Sequence, residues 1–199
     1  MLVKAKKILH SYQSGLFFKT LLLILAVLPS LPVFRFLLAS SMALHMLVQI
    51  PLLVIAGCFL NPKRIFNKNT QSIYFYLGCW LWILFTSMFW MLPISLDKAL
   101  LNYYWDIFKI LTLLISGYLL MKALSGPKIL SLFFIGSMVM MLFFIGYYYQ
   151  DTDLRLCNSY LLESQKATGN GLMVLAFFIL CFAIYAARRS LFYGLEEKD

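Results

Sequence analysis

Charge is scarce in this chain: 13% of its 199 residues are Asp, Glu, Lys or Arg, whereas 62% are hydrophobic. Soluble domains carry roughly 25% charged residues, so no adequate water-facing surface can be built here and a soluble globular domain is excluded. Acidic residues are fewer still, 8 against 17 basic ones. Histidine occurs only as His10 and His45, too few for bis-histidine ligation of several haems. The four cysteines, Cys58, Cys79, Cys157 and Cys181, form no C-x-x-C. Three of them fall in apolar stretches, where cysteine is a small packing residue, and Cys157 has no evident mate, so a disulfide framework is excluded. A glycine-rich phosphate loop, a Ser/His/Asp set, a carboxylate dyad and an H-E-x-x-H are all lacking, which leaves no enzyme signature. The halves of the chain show no convincing repeat of the kind ion-coupled transporters carry.

What is present is apolar sequence in long runs. A helix needs ~20 mostly apolar residues to cross the hydrocarbon core, and six windows qualify: about 15–32, 35–60, 72–94, 103–123, 129–149 and 167–187. They lack the alternation of barrel strands, and a backbone in lipid must satisfy its own hydrogen bonds, so helices follow. The expected fold is an all-α polytopic bundle of about six transmembrane helices forming one integral membrane domain over 1–199. Lys4, Lys6 and Lys7 before the first run resemble a signal peptide. The run is long for a signal core, however, and no small-x-small cleavage site follows, so a retained helix is expected. Pro29 and Pro32 should end that helix, and Pro51 should kink the second.

Eleven basic residues (Lys4, Lys6, Lys7, Lys63, Arg64, Lys68, Lys122, Lys128, Arg188, Arg189 and Lys198) fall on one side of these spans. Four (Arg35, Lys98, Arg155 and Lys166) fall on the other. The positive-inside rule then places both termini in the cytoplasm. The +9 net charge is read as a topology signal and an attraction to anionic lipid, not as a nucleic-acid footprint.

Polar residues within the spans gather in their outer halves. Leu38, Met42, His45 and Gln49 share one face of the second span, with Ser41 one turn before His45. His45 lies about 15 Å along that helix from its start. Asp106 and Lys109 open the fourth span at a spacing that permits pairing. Lys166 and Asn170 open the sixth. Each has a purely structural reading: His45 bonded to a neighbouring helix, Asp106–Lys109 a self-neutralising pair snorkelling outward, Trp90 and Trp105 an aromatic belt.

Three segments carry a resemblance. Ser41-Met42-Ala43-Leu44-His45 leads through an apolar run into Pro51-Leu52-Leu53. Trp90-Met91-Leu92-Pro93 precedes Asp97-Lys98-Ala99-Leu100. Ser164-Gln165-Lys166-Ala167-Thr168-Gly169 precedes Gly171-Leu172-Met173. In order and spacing, from about residue 35 to 187, the chain resembles the polytopic CtaG-type cytochrome c oxidase assembly factors. Their corresponding motifs are His-Met-x-x-His, Trp-His-x-Pro and Asp-Gln-x-x-Ala-Gly. The resemblance implies a multi-pass protein of the bacterial inner membrane that supports maturation of a haem–copper oxidase, with an oxidase subunit as partner and copper as the metal. It departs at several positions. Ser41 and Met91 stand where the family has histidines, Ser164 where it has Asp, and the region of Trp105, Asp106 and Lys109 replaces further histidines. The metal candidates it leaves are His45, Met42 and Met91, since Cu(I) accepts imidazole and thioether. Ser41, Gln49, Asp106, Lys109, Gln165 and Asn170 are the expected cavity-lining residues. Loss of the histidines leaves open a metal-free scaffold or interaction subunit of a membrane complex. A small-solute permease is disfavoured by the apolar inner halves of the spans.

Overall fold

The structure, a computed structural model, describes residues 20–21, 23–28, 40–60, 72–157 and 159–196. Every regular element among them is a helix. Helix α1 (Leu44–Phe59) is a π-helix over Leu44–Gln49 and an α-helix over Ile50–Phe59. It is followed by α2 (Ile73–Met91), α3 (Pro93–Leu101), α4 (Tyr103–Ala123), α5 (Lys128–Asp151) and α6 (Leu162–Glu196). Among the described residues, three helical stretches are long and apolar enough to cross a membrane: Ile73–Met91, Lys128–Asp151 and Leu162–Arg188. The chain is thus a membrane-embedded helix bundle. Phe133, Phe144, Phe177, Phe178 and Phe182 lie exposed on its flanks, as lipid-facing side chains do. Of the first expected span, 15–32, residues 20–21 and 23–28 are described; Pro29 and Pro32 lie outside the described residues, as do Lys63, Arg64 and Lys68.

Local chemistry sets the boundaries. Ser72 caps α2, its hydroxyl accepting the Tyr74 N–H. At the other end Leu92 is forced into an extended conformation (ψ 130°) by Pro93, which then opens α3 from its first turn. Asn102 is extended as well, and its Oδ1 accepts the Tyr104 N–H at 2.9 Å to begin α4. Pro127 precedes α5. Pro51 acts differently from a sharp kink. It has no N–H to return to the preceding turn, and the six residues just before Ile50 widen into a π-helix, with the Ile50 N–H bonded to the His45 carbonyl. Such widened turns cluster at functional sites.

Helix α4 is central: α1, α2 and α3 all pack on it, while α5 pairs with α6. Glycines permit two of these approaches. A Cβ on Gly57 would run into the Leu114 carbonyl, and one on Gly117 into the Val54 carbonyl, so α1 and α4 meet backbone to backbone. Gly146 and Gly169 do the same for α5 and α6, where an added Cβ would lie 2.8 and 2.6 Å from the opposite carbonyl. Small residues at helix crossings are the usual route to tight packing in lipid, where water supplies no driving force.

Candidate functional site

The closely packed α1–α4 pair carries the polar residues. His45 and Gln49 sit one turn apart on the π segment; Asp106 and Lys109 occupy the first two turns of α4. All four are buried, His45 and Lys109 to 0% exposure. Lys109 Nζ lies 2.7 Å from His45 Nε2, 2.9 Å from Gln49 Oε1 and 2.7 Å from Asp106 Oδ1. An ammonium has three N–H donors, so these three acceptors suffice to satisfy it. Asp106 also lies in the first turn of α4, where the helix dipole favours negative charge.

The geometry fixes the histidine tautomer. An ammonium cannot accept a hydrogen bond, so His45 Nε2 is the acceptor and the ring proton sits on Nδ1. From there it is donated to Tyr160 Oη at 2.8 Å. Among the described residues the cluster thus brings together one ammonium, one carboxylate and one neutral imidazole.

Tyr160 reaches the cluster from the loop between α5 and α6, and that loop is held on several sides. Arg155 donates to the Tyr160 carbonyl through Nε and Nη2, and the Ser159 N–H bonds Asp97 Oδ1 at 3.2 Å. The Cys157 thiol donates to the Pro93 carbonyl. Gln165 accepts the Leu156 N–H and donates to the carbonyls of Tyr149 and Leu154. Burial, reinforced by the nearby Asp97, pushes the Cys157 thiol up to about 12, and burial likewise raises the Tyr160 phenol. Outside this packed region, Lys166 pairs with Asp153 at 2.8 Å and holds that carboxylate below its usual range.

Aromatic side chains stand beside α4. Ring contacts of 4.9–6.4 Å, centroid to centroid, join Phe89 to Trp90, Trp105 and Phe108, and Phe108 to Trp90 and Trp105. Trp90 is fully buried and donates to Thr112 Oγ1 at 2.9 Å, so it is a core residue and not a belt residue. Asp106–Lys109 is a pair, as its spacing implies, but it points inward; the expectation that it snorkels outward is overturned by the acceptors presented by α1.

The other anticipated residues scatter. Met42 is buried, and its backbone N–H bonds Ser164 Oγ at 2.8 Å. Met91 is buried, and its carbonyl accepts from Tyr149. Ser41 is half-buried, its carbonyl taking the His45 N–H. Gln165 secures the loop instead of facing a cavity. Asn170 is exposed and bonded by Gln150, so it does not line the interior. Tyr160 has no sequence signal of its own: a tyrosine in a polar loop belongs to no periodic pattern.

The donor set as placed does not fit a copper ion. Both His45 nitrogens are engaged, and a cation at Nε2 would sit against the Lys109 ammonium. Two unit charges 4 Å apart repel by about 4 kcal/mol at an effective dielectric of 20. Among the described residues no three His, Cys, Asp or Glu side chains converge for a metal. No protein-family model, curated protein or solved structure matches this chain.

Proposed function

We propose that this chain is a multi-pass scaffold or assembly subunit for a membrane complex, organised around an internal lysine in place of a bound metal. One observation carries the reading. Three segments far apart in the chain, 41–53, 90–100 and 164–173, meet at one end of the bundle. Met42 is bonded to Ser164, and the Met91 carbonyl to Tyr149, which in turn accepts from Gln165. The loop between α5 and α6 ties Pro93 and Asp97 into the same region. These are the segments that resemble the CtaG-type assembly factors, which makes a haem–copper oxidase the partner to test first. In this reading both termini are cytoplasmic, six helices cross a bacterial inner membrane, and the joined segments face outward.

A copper-handling role is the second reading, favoured by Met42 and Met46, both fully buried on either side of His45 in the chain. Deletion of the gene separates the two. A scaffold predicts lower oxidase activity that added copper leaves unchanged, together with co-purification of an oxidase subunit. Rescue by copper supports the second reading. Normal oxidase activity without the protein removes the oxidase as partner.

A further inference from the structure

His45 Nε2, Gln49 Oε1 and Asp106 Oδ1 come from two helices and converge on one point, the Lys109 nitrogen, at 2.7–2.9 Å. Those spacings suit an ammonium, which is held at hydrogen-bond distance. They are longer than the ~2.0–2.3 Å bonds of a transition metal held by nitrogen, oxygen or sulfur. Two of the acceptors are set by the π segment, and the third is anchored one turn before Lys109 on α4. His45 is itself held from behind by Tyr160. Aromatic rings pack around the outer turns of α4, and no water-soluble cation is needed while Lys109 is in place.

We propose that these three acceptors form a cation cage whose native occupant is the tethered ammonium of Lys109, and that the cage takes a small primary alkylammonium when the tether is removed. The ligand class follows from the chemistry. The occupant must be a cation to lie against the Asp106 carboxylate as Lys109 does, and it must present N–H donors to an imidazole nitrogen and an amide oxygen. Its bulk beyond the nitrogen is limited to the few methylenes that a shortened side chain vacates. Ethylammonium and propylammonium meet these conditions. Tetramethylammonium carries the charge but has no N–H, and Cu(I) has neither the radius nor the donors. The inference concerns the cage alone and stands whichever partner the protein serves.

The test is thermal unfolding of the full chain in detergent. Lys109→Ala should be less stable than wild type, and millimolar ethylammonium or propylammonium should raise its unfolding midpoint by several degrees. Tetramethylammonium at equal concentration should not, and wild type should respond to neither. Adding Asp106→Asn to Lys109→Ala should abolish the amine response. A folded Lys109→Ala that ignores primary amines, or responds equally to tetramethylammonium, overturns the proposal. If Lys109→Ala does not fold, Lys109→Met is compared with Lys109→Met/Asp106→Asn. Recovery of folded protein in the double variant supports a cage built around a charge, and equal failure or equal success of the two overturns it.

Discussion

At the scale of single residues, the cluster ranks its own substitutions. Lys109→Met takes the ammonium away from the buried Asp106 carboxylate, and breaking a buried pair in this way costs about 3–5 kcal/mol. His45→Leu removes one acceptor from the ammonium and should cost about 1–3 kcal/mol. Tyr160→Phe removes only the bond to Nδ1, worth about 1 kcal/mol. Unfolding midpoints in detergent should fall in that order, and a silent His45→Leu would contradict the arrangement. Cys157 supplies a pH test. Its folded-state value is raised, from an ordinary 9.0 to about 12. The folded protein therefore holds the thiol proton more tightly than the unfolded chain does. Its contribution to stability is complete below pH 9 and is lost as pH rises from there toward 12. At pH 8 the buried, protonated thiol should resist maleimide, and Asp97→Ala, which frees the Ser159 N–H, should speed labelling.

Among elements, the crossing of α1 and α4 governs the site. Gly117→Ala places a methyl against the Val54 carbonyl, backbone that cannot step aside. Overpacking of this kind costs about 1–3 kcal/mol, and here it should also part His45 from Lys109. A downfield shift of the His45 Nε2 nitrogen resonance from wild type to Gly117→Ala would report loss of the hydrogen bond from Lys109. An unchanged resonance would show that the crossing does not set the cluster. Gly78, where an added Cβ meets nothing, is the control. Much of this element structure is legible in the sequence. The window 103–123 coincides with α4, whereas the starts at Ser72, Asn102 and Pro127 come from the structure. Periodicity also places His45 and Gln49 together, and Asp106 with Lys109. It states which residues share a face of one helix, not which helix that face meets. Hence the inward turn of Lys109, the burial of Trp90 and the exposure of Asn170 were not readable. Pro51 announces an irregularity, but that it takes the form of a π segment depends on packing against α4.

The whole molecule is a lipid-embedded bundle in which a buried cluster of charged and polar groups helps to draw distant segments together. Buried ion pairs add little net stability against a hydrophobic alternative, so one that persists has a reason in specificity or function. Here it joins α1, α4 and the loop between α5 and α6 at one end of the described bundle. The cation of this cluster is the Lys109 ammonium, in the place a metal would take. The most direct measurement is copper per chain in the detergent-purified protein after anaerobic Cu(I) loading, with His45→Ala alongside. Copper at background in both is the expected result. Near-stoichiometric copper in wild type that disappears in His45→Ala would contradict it.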